Sequence, residues 1–116
     1  MNDIILKKQH CEPCQKGMRP LSRRQAGVWL KELKGWKLTE RGKALEQEFL
    51  MKNFLAARDL IDALAPIAEA EDHHPDLHLT SYRKLRIVLS THSIGGLSKN
   101  DFILAAKIDA LPKKLK

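Results

Sequence analysis

Between Leu77 and Thr91 apolar and polar residues alternate: Leu77, Leu79, Leu85, Ile87 and Leu89 fall in one phase, His78, Thr80, Lys84 and Arg86 in the other. A period of two sends successive side chains to opposite faces of an extended chain, so this stretch reads as strand with one apolar face. It is long for a single strand, and a hairpin turning between Ser81 and Lys84 is predicted, although no glycine or proline marks the turn. An apolar strand face must be covered by another layer, which the rest of the chain has to supply.

The covering layer is legible as three helical patterns. In "LSRRQAGVWLKELKGW", Ser22 is an N-cap with Gln25 three residues on, as in a capping box; Ala26, Trp29, Leu30 and Leu33 share a face, and Gly35 supplies the stop. The longest pattern is "NFLAARDLIDALAPIAEAED", with Phe54, Ala57, Ile61, Leu64 and Ala68 at spacings of three or four, and Pro66 is expected to kink or divide it. A last helix opens at "GGLSKNDF", with Ser98 as N-cap and Asp101 at its third position; Leu104, Ala105, Ile108 and Leu111 form its buried face before Pro112. Two further extended segments, Trp36 to Thr39 and Ala44 to Met51, flank "ERGK". The order is αββαββα. The expected class is α+β, a four-stranded antiparallel sheet with helices packed on one face.

A chain of 116 residues fits one domain, here 21–112, preceded by an irregular arm over 1–20 and followed by a basic tail over 113–116. The mixture of 43% hydrophobic and 30% charged residues is that of an ordinary globular protein. Its net charge of +7 is partly local, in Lys113, Lys114 and Lys116 and in Arg23 and Arg24, and reads as solvated surface rather than as a nucleic-acid interface, for which no motif is present. No apolar run approaches the ~20 residues of a membrane span. The N-terminus carries no signal-sequence pattern, and a cytoplasmic protein is expected.

Cys11 and Cys14 form a Cys-x-x-Cys pair, half of a zinc site, with His10 nearby as a third donor. Reduced thiols on a loose arm are the simpler reading, and no metal is expected.

The stretch "DHHPD", 72 to 76, holds two of the five histidines. Pro75 biases His74 to an extended backbone, so the doublet stands where a helix gives way to a strand, and His73 and His74 are expected on opposite sides of the chain. His74 and His78 would sit about 13 Å apart on a strand, too far for one metal. Imidazole both gives and takes protons near neutral pH, and Glu69 and Asp72 stand close enough in sequence to orient one. "STHSIGGLS" adds His92, followed by Gly95 and Gly96, which permit close approach of a ligand or a chain. No nucleophile motif and no phosphate loop is present, which leaves two readings, proton transfer without covalent catalysis and simple helix capping.

The run from Glu69 to Phe102, "EAEDHHPDLHLTSYRKLRIVLSTHSIGGLSKNDF", together with "GW" at 35 and 36, resembles the signature of the pterin-4a-carbinolamine dehydratases. That resemblance implies the same αββαββα fold in homodimers or homotetramers. It implies loss of water from 4a-hydroxytetrahydrobiopterin to give quinonoid dihydropterin without a cofactor, recycling pterin for aromatic amino-acid hydroxylases such as phenylalanine hydroxylase. By position, His73, His74 and His92 match the family's catalytic histidines, with His74 assigned mainly to substrate binding and the others to proton transfer. Glu69, Asp72, Trp36 and Asp101 match residues bordering the pterin. Asp101 also reads as a capping-box member, Trp36 as core, and Tyr82 as packing at the hairpin. Asn100 stands where some relatives carry arginine. A second role known in the family, dimerisation cofactor of a transcription factor, is the alternative.

Overall fold

The computed structural model describes residues 6–12 and 18–116. Three α-helices, α1 (Arg23–Leu30), α2 (Phe54–Glu71) and α3 (Lys99–Asp109), accompany four strands, β1 (Lys37–Thr39), β2 (Ala44–Leu50), β3 (Asp76–Thr80) and β4 (Lys84–Leu89). The strands form one antiparallel sheet in the order β1-β2-β4-β3. The expected α+β class, element order and sheet are all present.

Register follows the alternation. Leu45 pairs with Leu89, Gln47 with Ile87 and Phe49 with Leu85, while Leu77 and Leu79 face Ile87 and Leu85 from the other side. One slip of register would carry this whole apolar row to the opposite face. The row closes against Ala57, Leu60 and Leu64 of α2 and Phe102, Leu104 and Ile108 of α3, all buried. The opposite face carries ion pairs, with Glu46 held by Arg86 at 3.2 Å and by Lys37 at 3.7 Å. The hairpin turns through Ser81 and Tyr82, both at positive φ (46° and 55°), without the glycine that such a backbone favours.

Several local expectations are corrected. α1 ends at Leu30 with Lys31 as C-cap, five residues before Gly35. Gly35 serves a later corner at φ 79°, where an added Cβ would lie 2.0 Å from Gln47 Oε1. Leu33 still packs against the core from the intervening turn. Pro66 does not divide α2, which runs unbroken. Both Pro66 and Asp62, whose carbonyl loses its partner, are exposed, so the site is open to solvent and the lost hydrogen bond is not a buried one. Phe54 does not join the buried face; it is 56% exposed, directly after the Asn53 cap, and the buried face of the first turn is made by Ala56 and Ala57 instead. Tyr82 is exposed, with the Arg83 guanidinium over its ring.

The flanking segments are docked. Leu6 is buried, and the Lys107 ammonium donates to Lys7 O at 2.9 Å. In the tail, Lys113 Nζ donates to the carbonyls of Ile108, Asp109 and Leu111, capping α3, and Lys116 N donates to Leu50 O at 3.0 Å.

Candidate active site

α2 ends at Asp72, whose backbone is left-handed (φ 51°, ψ 41°) and whose N–H donates to Ala68 O and Glu69 O. A short polar side chain tolerates this conformation, and the turn breaks the helix sharply. His73 N then donates to Ala68 O at 3.1 Å, and Pro75 leads into β3. Held in this way, the two histidines diverge as the extended backbone requires.

His73 turns inward. Its Nε2 lies 2.6 Å from Asp101 Oδ1, with the His73 side chain 11% exposed and that of Asp101 fully buried. His74 turns outward, where its Nε2 meets the Glu69 carboxylate and both side chains are more than half exposed.

Asp101 owes its position to α3. At the third residue of the helix its Oδ2 accepts the Ser98 N–H at 3.0 Å, closing the capping box, and also the Thr91 hydroxyl at 2.8 Å. Thr91 and Ser98 hydroxyls contact each other at 2.8 Å. A buried carboxylate is costly unless its oxygens are satisfied, and here two donors occupy one oxygen while the imidazole meets the other. An ionised carboxylate only accepts, so beside one the His73 nitrogen facing Asp101 carries the proton.

His73 opens on a cavity of about 440 Å3 whose wall includes Asp72, Thr91 and Ser93, a size suited to a small heterocycle. His92 immediately follows Thr91 in a short turn, His92–Ile94, and is exposed. That turn closes at Gly95, in a left-handed conformation, and at buried Gly96, where a Cβ would come within 2.7 Å of Pro20. The close approach that Gly96 permits is therefore made by the chain itself.

The structure thus brings together His73, Asp72 and Asp101, sets His74 and Glu69 beside them as an exposed pair, and places His92 on the adjoining turn. Trp36 stands apart. It is buried against Phe49, and its indole N–H donates to Asp109 Oδ1 at 2.8 Å, at the far end of α3, about 12 Å of helix from Asp101. Thr91 was not singled out from the sequence; its only signal was a polar residue closing an apolar strand next to a histidine.

Of the cysteine pair, Cys14 lies outside the described residues. Cys11 is half-buried, and burial first, then the nearby carboxylates of Glu71 and Asp101, push its thiol up to about 12, which disables it as a nucleophile. Among the described residues no helix is long and apolar enough to cross a membrane.

Residues 19–111 match the family model described as pterin 4 alpha carbinolamine dehydratase. The chain belongs to this family. Relatives provisionally named pterin-4-alpha-carbinolamine dehydratase include one from Nitrosospira multiformis, 43% identical over 94% of this chain and 93% of its own length. Another, from Stenotrophomonas maltophilia, is 42% identical over 99% of each. Among solved structures, a transcriptional coactivator/pterin dehydratase from Brucella melitensis superposes with a TM-score of 0.74 at 29% identity, over 79% of this chain and 97% of that one. A pterin dehydratase-like RuBisCO assembly factor of the alpha-carboxysome, 22% identical with a TM-score of 0.55, shares the fold. The family supports a hydro-lyase role in general.

Proposed function

We propose that this chain dehydrates 4a-hydroxytetrahydrobiopterin to quinonoid dihydropterin and water, with His73 as the principal proton-transfer group and Asp101 as its orienting partner. The observation that carries this reading is the buried His73–Asp101 pair opening on a cavity of heterocycle size. In the reaction the N5–H proton passes to a base, the N5 electron pair forms the N5=C4a bond, and the C4a hydroxyl leaves as water with a proton from an acid. A fixed imidazole that lines a cavity can serve either transfer. Asp101 keeps the ring in one tautomer and favours the imidazolium that forms transiently, as a buried carboxylate does behind other catalytic histidines. His92, one residue beyond Thr91, supplies the second proton-transfer group, and exposed His74, steadied by Glu69, binds substrate. Asp72 borders the pterin at the cavity wall. Trp36 acts on the site through α3, by anchoring its far end. No cofactor or metal enters this scheme, and the product returns to an aromatic amino-acid hydroxylase such as phenylalanine hydroxylase. The protein works in the cytoplasm as a homodimer or homotetramer.

The test is dehydration of chemically generated 4a-hydroxytetrahydrobiopterin followed by absorbance, with the spontaneous reaction as baseline. Acceleration by wild type that disappears in His73→Ala supports the reading. A folded wild type that leaves the baseline untouched would turn attention to the second reading, a module aiding dimerisation of a transcription factor, which the name of the Brucella structure favours.

A further inference from the structure

The cavity beside His73 has a second wall that lies outside the histidine signature, formed by Cys11 and Glu12 with Asn100 behind them. Two side chains hold this stretch in place. Glu71, the last residue of α2 and only 6% exposed in its side chain, accepts the Cys11 backbone N–H at 2.6 Å and lies 2.8 Å from His10 Nδ1 and 3.7 Å from the Lys107 ammonium. Asn100, in the first turn of α3, pairs with the Glu12 peptide in both directions: its Oδ1 accepts the Glu12 N–H at 3.0 Å and its Nδ2 donates to Glu12 O. Glu71 sits two residues before His73, and Asn100 directly precedes Asp101. The same two helix ends that present the histidine–carboxylate pair therefore also fasten the arm across the cavity.

We propose that residues 10–12 form a wall of the pterin pocket, with Glu71 and Asn100 as positioning residues that set substrate affinity through the arm. An arm fixed before binding spares the ligand the cost of ordering it, so loosening it should weaken binding more than it slows the bound substrate. This inference rests on the dehydratase reading for its ligand, a planar pterin, but is tested by binding as well as by turnover.

The experiment uses the full chain with Cys14→Ser, so that Cys11 is the single thiol, and compares Glu71→Gln, Asn100→Ala and Glu12→Pro. Glu12→Pro removes the N–H given to Asn100 and leaves both helices untouched, so it remains informative should the helix variants lose stability. Three quantities are read: the rate of Cys11 reaction with an aromatic disulfide, the Kd for 7,8-dihydrobiopterin, and KM against kcat for dehydration. Expected are a thiol about tenfold more reactive, a Kd weakened by about tenfold, as for one or two lost hydrogen bonds, and a change concentrated in KM. A freed thiol with unchanged Kd would show that the arm is no wall, and an unchanged thiol in all three variants would show that Glu71 and Asn100 do not hold it. Failure of wild type to bind dihydrobiopterin overturns the inference as well. Wild type that binds but does not accelerate dehydration sinks the catalytic reading alone, and the Kd series still decides the arm.

Discussion

Two neighbouring histidines each meet a carboxylate, and the two pairs differ in almost everything else. His73 and Asp101 come from elements 28 residues apart and are nearly or fully buried, with Thr91 and the Ser98 N–H completing the acceptor. His74 and Glu69 are five residues apart, and both are exposed at the end of one helix. In water such an exposed pair contributes ~0.2–1 kcal/mol and is screened by salt. Away from water the same chemistry is directional, and removing one member leaves a buried group unsatisfied. In the proposed scheme the first pair takes the rigid role and the second the adaptable one.

The largest effect should come from breaking the buried pair. Asp101→Ala removes the acceptor of the Ser98 N–H and the partner of the His73 ring, leaves the Thr91 hydroxyl with Ser98 alone, and is expected to cost about 3 kcal/mol in denaturant unfolding, with dehydration lowered by ~10²-fold or more. Thr91→Val sharpens the comparison by removing one donor to the same carboxylate while keeping the shape. About 1–2 kcal/mol of stability and a smaller loss of rate are expected. Glu69→Gln probes the exposed pair, with stability expected within ~0.5 kcal/mol of wild type and any rise in KM reduced in high salt.

The smallest effect concerns a third carboxylate, Glu71, which is buried like Asp101. Burial raises its pKa, but the Cys11 N–H, His10 and Lys107 together bring it below the ordinary value of 4.5. Because the native carboxyl binds its proton less readily than the unfolded one, its contribution is full above that ordinary value. It is lost as pH falls through the depressed native value. Faster backbone amide exchange at Cys11 at the acid end, before global unfolding, is the expected sign. Exchange that stays flat until the whole chain unfolds would contradict it.

Much of this was legible in the sequence because it is local. The alternation from Leu77 to Leu89 specified the strand pair, and Pro75 after two histidines specified their divergence. Ser98 with Asp101 specified a capping box, but the same aspartate's contact with His73 has no signature in spacing, because it depends on how α2 and α3 pack. The docked arm was hidden for a similar reason: residues 6–12 hold on through one buried leucine, the His10 and Cys11 side chains and backbone groups, which leave no periodic pattern. Pro66 does not divide α2 as one half of the expectation had it, because the hydrogen bond it removes lies on the exposed side of a long helix whose other face is packed. Trp36, which the resemblance set near the pterin, is drawn by its indole N–H to Asp109 and into the core.

The most direct measurement is a side-by-side determination of kcat for His73→Ala and His74→Ala on one preparation of 4a-hydroxytetrahydrobiopterin, with both variants first shown to be folded. If the buried pair carries proton transfer, His73→Ala loses ~10²-fold or more in kcat, while His74→Ala loses at least tenfold less and shows its defect mainly in KM. Equal losses in kcat, or a larger one for His74→Ala, would contradict that division and move the chemistry to the exposed pair.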